Sequence, residues 1–321
     1  MKRCLFVAPD PAGAITGGNL FNLRLITALR TGGVAVERVD REHRRDVSAP
    51  DAHDTFCIVD SLYLEELPRF GPCWVLLHYL PSLVEGRDCL SAIERAALLA
   101  ADGIVVPSPF MATVAAQRAP APRPIVVVAP GLELSHHAMQ RTSRAVVVAN
   151  VVRGKGVLEF LRALGGRRLP LSIIGALDRD PDYASACRSA AEQRDDIEFL
   201  GERTPEETLA HVAASDFLVS PSRMESFGLA LAEARALGTP IVALDRGNAS
   251  AHVDEAAGGA LASSNDALAD ACVRLAGDRT EIARRRSAAL AHRTAPRSWA
   301  EAAEDFARLL GPPRADVSTD H

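Results

Sequence analysis

Short runs of apolar, β-branched residues alternate with longer helical patterns along most of this sequence, and the alternation occurs twice. Such a pattern is typical of parallel sheets whose faces are covered by helices. In the first half, strands are predicted at Cys4 to Pro9, Val34 to Val39, Thr55 to Val59, Trp74 to Leu77, Gly103 to Pro107 and Ile125 to Ala129. In the second half, they are predicted at Ala145 to Ala149, Leu171 to Ile174, Ile197 to Leu200, Phe217 to Ser220 and Pro240 to Ala243. The sequence therefore predicts an α/β protein of two doubly wound, Rossmann-like domains facing across a cleft.

The two halves meet in a polar stretch without clear periodicity, Glu133 to Arg144, which is predicted to be the interdomain linker. A first domain over residues 1–140 and a second over residues 141–297 follow from this. The amphipathic segment 298–310 is predicted to form a closing helix that packs back towards the first domain. The polar segment 311–321 is predicted to be a disordered tail.

Composition excludes several classes of protein. The 321 residues with 48% hydrophobic content suffice for two cores, and no run reaches the roughly 18 apolar residues of a membrane helix. We therefore expect a cytoplasmic protein without a transmembrane segment; a basic run, Arg41 to Arg45, gives weak support to peripheral membrane contact. The net charge of -5 argues against a nucleic-acid partner. The six cysteines form no Cys-x-x-Cys pair, so neither disulfides nor zinc are predicted.

Two acidic residues eight positions apart carry the strongest chemical signal. Glu225 stands just ahead of an apolar helical run and Glu233 stands inside it. Helical geometry over eight steps gives roughly 12 Å along the axis and about 80° around it, so both can contact one elongated ligand. The backbone N–H groups of Phe227, Gly228 and Leu229 lie between them, at a helix start that favours a phosphate. A sugar, a diphosphate and a ribose fit this order.

Two glycine-containing loops point to the same ligand. Gly17 and Gly18 follow the first strand and precede a helix, where they serve either a ligand or merely a tight turn. Arg153 and Lys155 follow the first strand of the second half. They either place positive charge against a departing diphosphate or are solvated residues of a turn. Neither loop matches the spacing of a dinucleotide fingerprint or a P-loop, which argues against a dehydrogenase and an ATPase.

These motifs together resemble a known family. The motifs are Lys155-Gly156, Gly175, Phe199-Leu200-Gly201, Pro221-Ser222, Glu225-Ser226-Phe227-Gly228 and Glu233-Ala234. They resemble the donor half of family 4 glycosyltransferases of GT-B fold, most strongly from about Ala145 to Ala243. The Gly17-Gly18 loop, His78 and Trp299 are similar to the same family.

The resemblance implies a role for each matching position. Glu225 would hydrogen-bond the donor sugar, Glu233 would hold the ribose hydroxyls, and Lys155 would bind the diphosphate as it leaves. His78 would lie near the sugar, and the Gly17-Gly18 loop would approach from the other domain. The implied catalytic residues are Lys155, Glu225 and His78, and the implied donor-binding residues are Gly17, Gly18, Asn150, Arg153, Lys155, Glu225, Ser226, Phe227, Gly228, Leu229 and Glu233.

Two places depart from the family pattern, and one of them is the stretch Gly247 to Val253, which lacks an acid often found in relatives. Asn150 stands where the family usually has Arg, so either Arg153 substitutes from another point of the loop or the phosphate contact is weaker. Asp178-Arg179-Asp180 matches the Asp-x-Asp with which another glycosyltransferase fold holds a metal ion. It stands before a helix, however, where capping carboxylates are routine, so no metal site is predicted.

The expected function is that of a retaining, hexosyltransferase-type glycosyltransferase with a UDP- or GDP-linked sugar as donor and no cofactor. The resemblance implies metal independence, because cationic side chains and a helix dipole act on the leaving group. The acceptor, bound mainly by residues 1–140, is a small molecule, a glycan or a lipid-linked compound. Two alternatives stay open: a sugar-nucleotide epimerase, and a non-catalytic nucleotide-sugar binding module.

Overall fold

The chain divides into two units, each with its own sheet. The computed structural model describes residues 3–10, 16–40, 55–70 and 72–311. The first unit comprises the described residues up to Gly131 and those from Arg297 onwards, and the second runs from Leu132 to Pro296. Residues 132–140 thus lie with the second unit and not with the predicted first domain. The tail beyond Gly311 and the run Arg41 to Arg45 fall outside the described residues.

The first unit is a six-stranded parallel sheet with helices on both faces. Its strands are β1 (Arg3–Val7), β2 (Val36–Val39), β3 (Thr55–Asp60), β4 (Trp74–Leu76), β5 (Gly103–Val106) and β6 (Ile125–Val127), in the order β2-β1-β3-β4-β5-β6. Its helices up to this point are α1 (Gly17–Thr31), α2 (Pro81–Val84), α3 (Ala92–Ala100) and α4 (Pro109–Arg118), with a 3-10 segment at Ser61–Arg69.

The second unit is another six-stranded parallel sheet. Its strands are β7 (Ala145–Val148), β8 (Leu171–Ile174), β9 (Ile197–Gly201), β10 (Phe217–Ser220), β11 (Ile241–Leu244) and β12 (Ala260–Ala262), in the order β12-β11-β10-β7-β8-β9. Its helices are α5 (Val157–Leu164), α6 (Pro181–Ala190), α7 (Pro205–Ala214), α8 (Leu229–Leu237), α9 (Asn265–Ala276) and α10 (Arg279–Ala291), with 3-10 turns at Arg153–Lys155 and Ala249–Ala251.

The last helix, α11 (Trp299–Ala307), returns to the first unit and packs on α1; a 3-10 turn at Arg308–Leu310 follows it. The ring of Trp299 meets Phe21 edge to face at 5.6 Å, and Phe306 meets Phe56 at 5.9 Å. A Cβ at Gly131 would lie 2.3 Å from the backbone nitrogen of Trp299, so this close packing requires glycine. The helix therefore covers one face of the first sheet.

Central strands are buried on both faces, which explains why the sequence shows them as continuous apolar runs. In β1, Leu5 and Val7 belong to one core cluster, whereas Cys4 and Phe6 belong to the cluster shared with α1 and α11. In β7, Val147 and Val146 divide in the same way between two clusters. Each sheet is thus a filled layer between helices.

The predicted α/β class with two doubly wound sheets is confirmed, and every predicted strand is present with its bounds shifted by at most two residues. The sequence missed β12, because its three residues follow two adjacent glycines and are too short for a periodic signal. Within the ranges that the structure describes, no helix has the length and apolarity needed to span a bilayer.

Candidate functional site

The second unit has a topological switch point between β7 and β10. From β7 the chain continues outwards to β8 and β9, and it then returns to β10 on the other side of β7. After these two strands the chain therefore leaves in opposite directions, through the loops at residues 149–156 and 221–228. Parallel sheets bind ligands at such a point. All predicted site residues of the second half lie in these loops or in α8.

Asn150 is bonded into the first loop. Its side-chain Oδ1 accepts a hydrogen bond from the backbone N–H of Ala176 at 3.0 Å, and the N–H of Val151 donates to the Ala176 carbonyl at 2.9 Å. The side chain thus ties the loop after β7 to the loop after β8. It carries no charge, so it cannot take over the electrostatic task of an arginine.

Glycine lets the two loops touch. Gly156 ends the 3-10 turn with φ +67°, and a Cβ there would lie 2.1 Å from the carbonyl oxygen of Pro221. The backbone N–H of Arg223 also donates to the carbonyl of Gly154 at 3.1 Å. Because only glycine accepts both the dihedral and the approach, this position fixes how the side chain of Lys155 is presented.

Lys155 and Glu225, predicted to contact different parts of one ligand, form an ion pair. The distance from Lys155 Nζ to Glu225 Oε1 is 2.9 Å, and the side chains keep 34% and 14% of their exposure. Both charges are therefore compensated yet still reachable. A diphosphate placed beside Lys155 would compete with the Glu225 carboxylate for the ammonium group.

Arg153 has a different partner. Its Nε lies 3.2 Å from Asp180 Oδ2, and the arginine side chain is mostly exposed. Asp180 also accepts from the N–H of Tyr183 at 3.2 Å, so the capping role predicted for the Asp-x-Asp stretch is confirmed. Arg153 thus remains on the rim of the loop, beside the start of α6.

A segment that sequence reasoning did not select holds the Glu225 loop from behind. The N–H of Asn248 donates to the Glu225 carbonyl at 2.7 Å, and its side-chain amide donates to the Phe227 carbonyl at 2.8 Å. His252 Nε2 also donates to the Phe227 carbonyl, at 2.6 Å. With these carbonyls bound, the intervening Ser226 is half-buried in a loop of fixed conformation.

The surroundings of His252 favour the neutral form of its ring. Burial lowers the pKa of His252, and this effect is larger than the opposing effect of its bond to Phe227. Since a carbonyl oxygen can only accept, Nε2 carries the ring proton. In the sequence, the stretch after β11 stands out only because it lacks an acid often found in relatives. The signal that could have revealed its role is Gly247 followed by Asn248.

Helix α8 begins without a side-chain cap. Its N-cap is Gly228, with φ +90°, whereas side chains cap the other long helices of this unit that begin away from the site, α6, α7, α9 and α10. Helix α5 also has a glycine N-cap, but there the N–H of Leu158 donates to Tyr183 Oη at 2.9 Å. The N-cap residue of α8 therefore offers no side-chain acceptor to the first-turn N–H groups, which carry the positive end of the helix dipole.

The start of α8 corrects one expectation. The helix begins at Leu229, so Glu225 lies four residues before it, in the loop and not on a helical path. The positive φ of Gly228 turns the chain at that point. The eight helical steps from which the separation of the two acids was predicted are therefore not present between them.

Glu233 lies on the first turns of α8 and is half-buried. Burial raises the pKa of Glu233 to about 7. Within residues 3–10, 16–40, 55–70 and 72–311, no cation or hydrogen-bond donor faces its carboxyl group. The acid is thus kept without compensation for its lost hydration, as expected of a group that binds a hydroxyl-bearing ligand.

The site residues predicted in the first unit also come together. A Cβ at Gly18 would lie 3.3 Å from the His78 ring, while one at Gly17 would meet nothing within 4 Å. His78 Nε2 lies 2.9 Å from Asn22 Oδ1 and 3.5 Å from Asp60 Oδ2. Burial lowers the pKa of His78, and Asp60 opposes that shift only in part. The sequence had selected neither Asn22 nor Asp60.

The second unit is similar to a known protein family over most of its length. Residues 142–278 match the family described as Glycosyl transferases group 1. This stretch of the second unit is therefore similar to a glycosyl transferase group 1 domain. The match begins just before β7 and ends before α10, so it contains both loops of the switch point. The resemblance predicted from Lys155-Gly156 and from Glu225 to Gly228 is confirmed for this domain.

Named relatives of the group 1 domain are inositol phosphate glycosyltransferases. The D-inositol 3-phosphate glycosyltransferase of Nocardia farcinica is 36% identical over 157 residues, which are 47% of this chain and 34% of that protein. The enzyme of the same name from Corynebacterium glutamicum is 29% identical over 228 residues, 62% of this chain and 54% of that protein. The chain thus spans about a third to a half of the length of these relatives.

Solved structures similar to this chain are glycosyltransferases of GT-B fold. A sucrose-phosphate synthase from Thermosynechococcus elongatus superimposes with a TM-score of 0.75 at 18% identity, covering 97% of this chain and 98% of that chain. Anabaena HepE in complex with UDP-glucose gives 0.73 at 18% identity, covering 97% and 99%. The chain around the group 1 domain therefore has the GT-B fold, as predicted.

Proposed function

We propose that this protein is a retaining glycosyltransferase that moves a hexose from a nucleoside diphosphate sugar to a hydroxyl acceptor. The observation that carries the proposal is the meeting of the Lys155–Glu225 ion pair with the uncapped start of α8 at the switch point of the group 1 domain. Cation, hydrogen-bond acceptor and backbone donors are the groups that the three parts of such a donor require.

Each residue then has a definite task. The diphosphate lies at the first N–H groups of α8 and draws Lys155 away from Glu225. The freed carboxylate of Glu225 accepts hydrogen bonds from hydroxyls of the sugar, and Glu233 accepts those of the ribose. The acid was kept poorly hydrated by the fold, so it regains hydrogen bonds when the nucleotide binds.

Lys155 also serves the chemical step. As the bond between the anomeric carbon and the phosphate oxygen breaks, negative charge grows on the leaving diphosphate, and the ammonium group is positioned to stabilise it. The acceptor oxygen forms its bond to the same carbon, on the face that the diphosphate leaves, and passes its proton to the departing diphosphate oxygen. Lys155 and the α8 dipole supply positive charge from the protein itself, which supports a reaction without a metal ion.

The choice of donor and acceptor for the first trial follows from the comparisons. HepE was crystallised with UDP-glucose, so UDP-linked hexoses head the panel, followed by GDP-linked hexoses. D-inositol 3-phosphate heads the acceptor panel because of the names of the relatives, followed by small sugars, glycans and lipid-linked sugars. A hydroxyl acceptor from this panel and a soluble protein working in the cytoplasm are part of the proposal.

The decisive assay measures nucleoside diphosphate release together with the mass and anomeric configuration of the product, with and without EDTA. We expect transfer with retained configuration that EDTA does not reduce. An isomerised sugar formed from donor alone would establish an epimerase instead. Tight donor binding without turnover on the whole acceptor panel would establish a binding module.

A matched pair of variants connects the assay to the site. Glu233→Gln keeps the size of the side chain but removes the charge, so nucleotide binding should weaken about tenfold, as for the loss of a charge-assisted hydrogen bond. Glu255→Gln is the control, an exposed acid of the same unit outside both loops. Equal nucleotide affinity in the two variants would refute the role of Glu233.

A further inference from the structure

A chain of buried polar side chains lies at the switch point of the first unit. The strand order reverses between β1 and β3, since β2 lies on one side of β1 and β3 on the other. Asp60 ends β3, Asn22 belongs to α1, which follows β1, and His78 follows β4. Asp60 has no exposed surface, Asn22 is 2% exposed and His78 is 9% exposed.

The hydrogen bonds along this chain fix the direction of every donor. Asp60 Oδ1 accepts from the N–H of Leu62 at 2.7 Å, and Asp60 Oδ2 accepts from Asn22 Nδ2 at 2.5 Å. Because a carboxylate can only accept, the Asn22 amide must turn its oxygen towards His78. Both atoms near His78 Nε2, the Asn22 oxygen at 2.9 Å and the Asp60 oxygen at 3.5 Å, are acceptors, so Nε2 carries the proton.

The orientation of the imidazole is fixed as well. The backbone N–H of His78 donates to Ser61 Oγ at 3.1 Å, Phe21 meets the ring edge to face at 5.0 Å, and Gly18 leaves just enough space beside it. In the part of the chain that the structure describes, Nδ1 has no donor. The His78 side chain keeps 11% of its exposure, so Nδ1 is left as the acceptor that a bound hydroxyl group can reach.

We propose that Asp60, acting through Asn22, is a positioning residue that holds His78 as the Nε2–H tautomer, so that Nδ1 accepts a hydrogen bond from a hydroxyl of a sugar substrate bound at the switch point of this unit. The inference rests on the proposed function, because it needs a sugar beside His78. Asn22 and Asp60 touch no substrate in this scheme. They determine which nitrogen of the His78 ring carries the proton, and the ring itself contacts the substrate. The hydrogen-bond partner of a histidine has the same effect in other sites.

One isosteric substitution reverses the whole chain of bonds. In Asp60→Asn, the N–H of Leu62 still requires an oxygen at the Oδ1 position, so the new amide nitrogen must face Asn22. The Asn22 amide then turns over and presents its own nitrogen to His78. The ring must accept at Nε2 and carry its proton on Nδ1, where it can no longer accept from the sugar.

The first experiment reads the tautomer directly by nitrogen NMR on protein with isotopically labelled histidine, with the His78 signals assigned by their loss in His78→Gln. We expect a protonated Nε2 and a bare Nδ1 in the wild type near neutral pH, a bare Nε2 and a protonated Nδ1 in Asp60→Asn, and the wild-type pattern in the control Asp88→Asn. His252, whose Nε2 proton is fixed by Phe227, is the internal reference.

The second experiment measures turnover. We expect Asp60→Asn to lower kcat/KM about tenfold, the effect of one lost hydrogen bond, and the matched control Asp88→Asn, at an exposed acid of the same unit, to change it less than about twofold. A wild type with its proton on Nδ1, or a reversed tautomer with unchanged kcat/KM, would overturn the inference. If Asp60→Asn does not fold, the wild-type tautomer still decides. If no donor is turned over, the proposed function fails while the tautomer result stands by itself.

Discussion

Each unit has a switch point in its strand order, and the residues at the two switch points differ in their chemistry. At the switch point of the second unit, half-exposed charges meet: an ion pair, an uncapped helix start and an uncompensated acid. At the switch point of the first unit, a buried chain of hydrogen bonds ends on a neutral ring. Exposed, exchangeable charge suits a ligand that is itself charged, such as a diphosphate. A preset neutral acceptor suits a hydroxyl group, whose recognition depends on direction.

Among the variants that test this contrast, a substitution of Lys155 should have the largest effect on turnover. Lys155→Met removes the positive charge but keeps a long side chain, so kcat should fall about 100-fold or more, as for other losses of charge stabilisation on a leaving group. The chain has only two lysines among its 36 basic residues, and Lys2→Met is therefore the natural control. Steady-state kinetics with saturating donor measures the effect.

Lys155→Arg keeps the positive charge and tests whether the shape of the charged group also matters for turnover. An arginine fork would bind both the Glu225 carboxylate and the diphosphate, but it cannot deliver a compact charge at the position of Nζ. We expect an activity between those of the wild type and Lys155→Met. Activity in Lys155→Met equal to that of the Lys2→Met control would show that charge at this position has no part in turnover.

The next effect concerns the backbone that places Lys155. Gly156→Ala would force a Cβ to 2.1 Å from the Pro221 carbonyl at a left-handed φ, so the two loops must separate at a cost of about 1–3 kcal/mol in the free energy of unfolding. Donor affinity should fall with it. Denaturant titration and nucleotide binding test both. Gly166→Ala, where a Cβ meets nothing and φ is not left-handed, is the control.

The sequence predicted the strands because β-branched runs reflect local burial, and it predicted Lys155, Glu225 and Glu233 because their spacing belongs to contiguous motifs. It missed the residues that act through partners far along the chain. Asn22 bonds to Asp60 over 38 positions, and His252 bonds to Phe227 over 25. No local pattern marks such residues, since their roles arise only when loops from different strands meet.

A third variant tests Asn248, one of the residues whose role the sequence did not reveal. Asn248→Ala keeps the backbone bond to Glu225 but removes the amide that holds the Phe227 carbonyl. Because His252 still holds that carbonyl, the loss should be modest, a rise of about three- to tenfold in KM for the donor with little change in kcat. The double variant Asn248→Ala/His252→Ala should exceed the sum of the single effects. Additive effects on KM would show that the two side chains do not share the task.

The smallest expected effect is on the melting temperature, and it separates the role of Glu233 in binding from its effect on folding. Its folded pKa of about 7 lies above that of an unfolded glutamate, so the ionised acid destabilises the fold, and stability declines as pH rises from about 4 to 7. Glu233→Gln should therefore raise the melting temperature by a few degrees at pH 8 and leave it unchanged near pH 4.5. Glu207, whose pKa is lowered by its bond to the Thr204 N–H, has the opposite sign, and Glu207→Ala should lower the melting temperature at pH 8. If Glu233→Gln instead destabilised the protein at pH 8, the acid would have a structural partner, and the contrast between an open second site and a closed first one would not hold.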